Sequence, residues 1–239
     1  MTKVLVSFIQ DRSGSMSSVW DETVSGFKEF VKGLKEGKDK VDYLFSLTTF
    51  DTLIETPFIA KAIADIPLDA LKPHGPRGST ALYDAVGATL KATETAPIIT
   101  GVDKYIVVIV TDGQENSSRE WTKDALQKAV EERIARGNWT FTYKGTQPET
   151  WADAQAFGIA AGAAATYTPT MARSAYRVTG LAVQSLAASS VAGSASLMDD
   201  FVTDKMAANA GMRKAPVNSN PIPPPKAKEK AAAKGGRWR

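Results

Sequence analysis

Asp11, Ser13 and Ser15 alternate along the segment Asp11-Arg12-Ser13-Gly14-Ser15, directly behind the apolar run Val4-Leu5-Val6-Ser7-Phe8-Ile9. One carboxylate and two hydroxyls at every second position form a set of hard oxygen ligands, suited to Mg2+ and similar cations. The plainer alternative is a turn in which the Asp and Ser side chains cap the following helix. Two further segments carry the same kind of donor: Gly78-Ser79-Thr80, after a Gly/Pro-rich loop, and Thr111-Asp112-Gly113, after the apolar run Tyr105-Ile106-Val107-Val108-Ile109-Val110.

The elements that must position these residues alternate between strand and helix. Lys3 to Gln10 reads as a strand buried on both faces, and Tyr105 to Val110 as the clearest central parallel strand. Between them, Val24, Phe27, Phe30, Val31 and Leu34 recur at helical spacing. Ser17 or Ser18 is placed to cap that helix, and Gly37 to end it. Val41 to Phe50 is a second strand, and Leu53 to Ile63 an antiparallel edge strand in which Pro57 is tolerable. Ser79 to Thr93 and Thr122 to Arg136 read as helices, the latter closed by Gly137-Asn138. Trp139 to Tyr143 follows as a strand, its aromatics read as core in preference to a base-stacking platform. Glu149 to Phe157 is a short helix, Ala164 to Tyr167 a short strand, and Met171 to Leu186 a final helix. This order predicts an α/β fold: a doubly wound, mostly parallel central sheet flanked by helices, with one antiparallel edge strand. Sites in such sheets form in loops at the carboxyl ends of strands, where Asp11 and Asp112 both lie.

With Asp-x-Ser-x-Ser behind the first strand, Thr80 at a helix start and Asp112 behind the central strand, the chain resembles von Willebrand factor A domains that carry a metal-ion-dependent adhesion site. The resemblance spans Met1 to Leu186 and is nearest to short, stand-alone, intracellular bacterial and bacteriophage members. It implies a Rossmann-like fold and a metal held directly or through water by Asp11, Ser13, Ser15, Thr80 and Asp112. Mg2+ is the expected ion, with Mn2+ or Ca2+ as alternatives. In that family an Asp or Glu of a partner protein fills an open metal position, so the implied function is a metal-dependent protein-binding module. Arg12, beside the metal loop, is expected to be solvated; orienting an incoming carboxylate is its alternative role. Gln114, Glu115 and Asn116 are expected at the rim, with Glu115 read as a first-turn acid of the next helix. Asp84, just past Thr80, is a candidate to support its loop.

Composition removes competing chemistry. The chain has no Cys and one His, His74, set in the turn-like Pro73-His74-Gly75-Pro76. Thiol catalysis, Cys/His zinc sites and Ser-His-Asp triads therefore have little to be built from. No Gly-x4-Gly-Lys-Ser/Thr loop is present to cradle a nucleotide. A metal-dependent phosphohydrolase of the haloacid dehalogenase kind needs a second Asp where Ser13 stands, so no enzymatic activity is expected. No signal peptide or membrane-spanning run is visible, which leads to an expectation of a cytoplasmic protein of a bacterial or phage-infected cell, with a virion as the alternative. Charge is uneven: from Arg213 onward the chain carries +7, and the rest −4. The expected organisation is a domain over 1–195, a short helix or linker over 196–217 (Met198 to Met212 being the helical stretch), and a disordered Pro-rich basic tail over 218–239. That tail is read as a solubilising extension, with nucleic-acid binding or docking in a phage assembly as its alternatives.

Overall fold

In a computed structural model of the chain, the described residues are 1–37, 41–97, 99–146, 150–189 and 204–214. The first strand, β1 (Thr2–Asp11), is buried from Val4 to Asp11. It pairs in parallel with β2 (Val41–Phe50) on one side and β4 (Lys104–Val110) on the other. Such two-sided burial requires helices on both faces, and its near-continuous apolar sequence reflects that. On one face, Val4, Val6 and Phe8 pack with α1 (Trp20–Glu36) and α5 (Ala172–Ala188). On the other, Ile9 joins Leu82, Val86 and Leu90 of α2 (Leu82–Thr95) and Leu126 and Val130 of α3 (Lys123–Ile134). Phe8 anchors an aromatic cluster, with ring centroids 5.4 Å from Phe27 and 4.9 Å from Phe30.

With β3 (Ile54–Ala62), β5 (Trp139–Gly145), β6 (Ala164–Tyr167) and β7 (Met212–Lys214), the sheet has seven strands in the order β3-β2-β1-β4-β5-β6-β7. Chain progression reverses between β1 and β4, the position at which open α/β sheets leave a crevice beyond their carboxyl ends. β5 (Trp139–Gly145) and β6 (Ala164–Tyr167) extend the parallel part. Trp139, Phe141 and Tyr143 are buried, as expected of core; Trp139 stacks on Tyr105 at 4.4 Å. α4 (Thr150–Ala156) connects β5 and β6. β3 (Ile54–Ala62) is the expected antiparallel edge; it contains Pro57 and is irregular, with register shifts against β2 and Ala60 at a φ of 45°. Such features blunt an edge against pairing with another chain.

Several boundaries differ from the sequence-based expectation. A 3-10 turn over Gly14–Ser18 separates the Asp11 loop from α1, whose N-cap is Val19, so neither Ser17 nor Ser18 caps that helix. Ser17 Oγ instead donates to the Gly14 carbonyl at 2.7 Å. α2 begins at Leu82, leaving Gly78 to Ala81 as loop. The sheet also continues past residue 195: after the short α6 (Asp204–Asn209), β7 (Met212–Lys214) pairs antiparallel with β6. Of the stretch read as helical from Met198 to Met212, residues 198–203 lie outside the described residues, as does the 218–239 tail.

Candidate metal centre

The three oxygen-bearing loops meet at the crevice between β1 and β4. Asp11, the last residue of β1, is fully buried. Its Oδ1 accepts from the Ser13 amide at 2.6 Å, and its Oδ2 from the Thr111 hydroxyl at 2.6 Å. Ser13 and Ser15 hydroxyls lie 3.0 Å apart, and Ser15 Oγ donates to Asp112 Oδ1 at 2.8 Å. Thr80 enters from the second loop, Gly78 to Ala81. A Cβ built on Gly113 would fall 2.9 Å from Thr80 Oγ1, 3.4 Å from Ser15 Oγ and 3.5 Å from Asp11 Oδ2. The five residues expected from the sequence are thus brought together: Thr80, Ser15 and Asp11 beside Gly113, where a side chain would crowd their oxygens, and Ser13 and Asp112 through the Ser15 hydroxyl.

Backbone contacts fix the loops in place. Gly14 N donates to Gly78 O at 3.1 Å, joining the first loop to the second. Gly78 adopts a left-handed φ of 66°, and a Cβ there would meet Thr52 Oγ1 at 2.8 Å, so that position requires glycine. Thr80 N donates to Asn116 Oδ1 at 2.8 Å, and Asn116 N returns a bond to Thr80 O at 3.0 Å, joining the second loop to the third. Asp84, expected to support the Thr80 loop, instead accepts from the amides of Arg119, Glu120 and Trp121 at 2.7–2.9 Å and so holds the segment leading into α3.

Two neighbours behave differently from expectation. Glu115 precedes α3 by several residues and is not a first-turn acid; its carboxylate accepts from the amides of Tyr83, Ser117 and Ser118 at 2.7–2.9 Å. Arg12 is not solvated: it is 3% exposed, ion-paired at 2.9 Å with Asp51 and at 2.7 Å with Glu55. An arginine inside a surface motif is expected outside, but here two acids of the adjacent hairpin draw it in. Those acids, together with Arg77 and Thr111, are the site neighbours that spacing alone did not single out. In the sequence Thr111 stands out only as the residue directly before Asp112, and no local pattern points to Asp51, Glu55 or Arg77 as site neighbours. His74 is half-buried, with Nδ1 3.3 Å from Arg12 Nη1; burial and then the Arg12 charge lower its pKa.

The electrostatics suit a cation. Burial pushes the Asp11 pKa up to about 6, outweighing the hydrogen bonds from Thr111 and Ser13, with Asp112 adding to the rise. Burial also raises Asp112, against the hydrogen bond from Ser15. Two carboxylates are thus held together, and the Arg12 guanidinium that stands between Asp11 and Ser13 in sequence is ion-paired with Asp51 and Glu55 through Nε and Nη1. Among the described residues no group of three or more His, Cys, Asp or Glu gathers as a metal cluster. The donor set consists of two acids supplemented by hydroxyls, an all-oxygen set that fits Mg2+ or Mn2+ and favours neither zinc-type nitrogen nor sulfur chemistry.

No protein-family model matches the chain, and no curated protein does. Solved structures do. A von Willebrand factor type A protein from Catenulispora acidiphila superposes with a TM-score of 0.54 at 18% identity, covering 78% of this chain and 43% of that one. Manganese-loaded TRAP protein of Plasmodium vivax gives a TM-score of 0.54 at 13% identity, over 73% of each chain. The fold is that of a von Willebrand factor A domain. The pilus adhesin SpaC from Lactobacillus rhamnosus GG shares it, with a TM-score of 0.62 at 11% identity over 77% of this chain and 31% of that one. This chain therefore spans less than half the length of the Catenulispora and Lactobacillus structures. Nothing in these likenesses speaks for the free-standing phage or intracellular subtype of the von Willebrand factor A fold expected from the sequence. No helix among the described residues is long and apolar enough to cross a membrane.

Proposed function

We propose that this chain is a metal-dependent protein-binding module that holds a divalent cation with Asp11, Ser13, Ser15, Thr80 and Asp112, and through it grips an Asp or Glu of a partner protein. The observation that carries this reading is the convergence of three separate loops: Asp11, Ser15 and Thr80 oxygens meet beside Gly113, and the Ser15 hydroxyl links Ser13 and Asp112 to them. When bound, the cation would supply a Lewis-acidic position for a carboxylate. The chain's own residues provide the rest: two acids to balance the charge, hydroxyls that leave the donor set incomplete, and a glycine that keeps the approach open. The manganese in the TRAP structure of the same fold supports a divalent ion here. A non-catalytic role is supported by the lack of any Cys and by the only histidine, His74, having Nδ1 3.3 Å from Arg12 Nη1 and 3.5 Å from Glu55 Oε2.

Isothermal titration of the chelator-treated full chain with Mn2+ and with Mg2+ tests the proposal. Wild type is expected to bind one equivalent, and Asp11→Ala to lose that binding. Equal binding by both proteins, or none by wild type, would overturn it.

A further inference from the structure

Arg12 and Arg77 face Asp51 and Glu55 in a closed ring. Arg12 Nε lies 2.9 Å from Asp51 Oδ2, and Arg12 Nη1 2.7 Å from Glu55 Oε2. Arg77 Nε donates to the same Asp51 Oδ2 at 2.9 Å, and Arg77 Nη2 to Glu55 Oε1 at 3.1 Å. Each acid therefore bridges both arginines, and the ring carries no net charge.

Its members come from three segments. Arg12 stands between two of the metal-loop residues, Asp51 and Glu55 belong to the β2–β3 hairpin, and Arg77 lies three residues before Thr80. Backbone bonds run along the same seams. Arg77 N donates to Arg12 O at 2.8 Å, Ala81 N to Asp51 O at 3.0 Å, and Arg12 N to Phe50 O at 2.8 Å. Ser79 N donates to Thr52 Oγ1 at 3.0 Å. The Thr80 loop contributes no regular secondary structure between Pro73 and Ala81, so its position relative to Asp11 depends on these contacts.

We infer that the Arg12–Asp51–Arg77–Glu55 ring is the positioning device of the metal centre: it sets the Thr80 loop against the Asp11 loop, although none of its four residues is a ligand. The inference rests on the metal-binding reading above. It also assigns Arg12 a role other than receiving the partner's carboxylate, because Nε and Nη1 face the hairpin acids and the side chain is 3% exposed. Two bridged acids and two planar, multi-donor cations make a geometry that a lysine or an amide does not reproduce. A Mg2+ site demands nearly fixed oxygen positions, so displacement of one loop by a fraction of an ångström is felt in affinity.

The test is Mn2+ titration of the full-length wild type, Arg77→Met, Asp51→Asn and Glu94→Gln, each paired with an apo thermal melt. Arg77 is 53% exposed, so its replacement leaves the core intact. Glu94 pairs with Arg133 and Arg136 near the far end of α2 and controls for the general loss of an ion-pair cluster. Arg77→Met and Asp51→Asn are expected to weaken Mn2+ binding by about tenfold or more, while Glu94→Gln leaves it unchanged. If Asp51→Asn does not fold, Arg77→Met decides alone. Ring variants within twofold of wild type, or an equal loss in Glu94→Gln, would overturn the positioning role while leaving the metal site standing. No Mn2+ binding by wild type would overturn both.

Discussion

At the scale of single residues, Asp11 is where fold and function pull against each other. Burial raises its pKa to about 6 from an ordinary 3.8, so its ionised form is disfavoured in the metal-free fold. The native state holds a proton that the unfolded chain has lost between those values. Stability of the metal-free protein therefore falls as pH rises from about 4 to about 6 and levels off above. Glu55 titrates lower and with the opposite sign: the hydrogen bond from Arg12 holds it at about 2, so its contribution disappears only on strong acidification. The two windows are separable. Urea melts in chelator between pH 4 and pH 8 are expected to show this slope in wild type and a shallower one in Asp11→Asn, where Asp112, raised in the same direction, remains. At pH 8 the variant should be the more stable apo protein, by on the order of 1 kcal/mol, because the amide removes the charge but also one acceptor for Ser13 N or Thr111. An unchanged slope in Asp11→Asn would show that another group is responsible.

At the scale of elements, α2 joins the Thr80 loop to the sheet, and at Gly87 it leaves no room for a side chain. A Cβ there would meet the Trp121 indole at 2.2 Å, and Trp121 N is itself held by Asp84. Gly87→Ala is expected to destabilise by about 1–3 kcal/mol, the usual cost of overpacking, read as a lower urea midpoint; an unchanged midpoint would show that the indole swings free without cost. Elements of this kind were largely legible in the sequence. β1 and β4 announce themselves as continuous apolar runs because both their faces are covered, and strand-end position alone puts Asp11 and Asp112 at the crevice. The legible part ends where tertiary contacts outweigh local pattern. β7 is three residues paired through the backbone, too short to show a period. α2 starts later than its apolar spacing suggests because Ala81 N is taken by Asp51 O and Thr80 is held out by Asn116. The burial of Arg12 depends on acids some 40 residues away, which no local window contains.

At the scale of the whole molecule, the candidate centre ties together segments that are far apart in the chain, from Asp11 to Asp112, and it does so at the point where the sheet changes winding direction. A cation held there binds only the folded state, so it must stabilise the entire cooperative unit. At a free metal concentration 100 times the dissociation constant the gain is about 2.7 kcal/mol. For a domain of this length each kcal/mol moves Tm by roughly 2–4 °C, so saturating Mn2+ should raise Tm by roughly 5–11 °C over chelator at pH 8. The shift should shrink at pH 5, where protons compete for Asp11, and vanish in Asp11→Ala at either pH. Scanning calorimetry with and without Mn2+ checks all three. A wild-type Tm that ignores the metal at pH 8 would mean that the three loops, however well assembled, hold no cation.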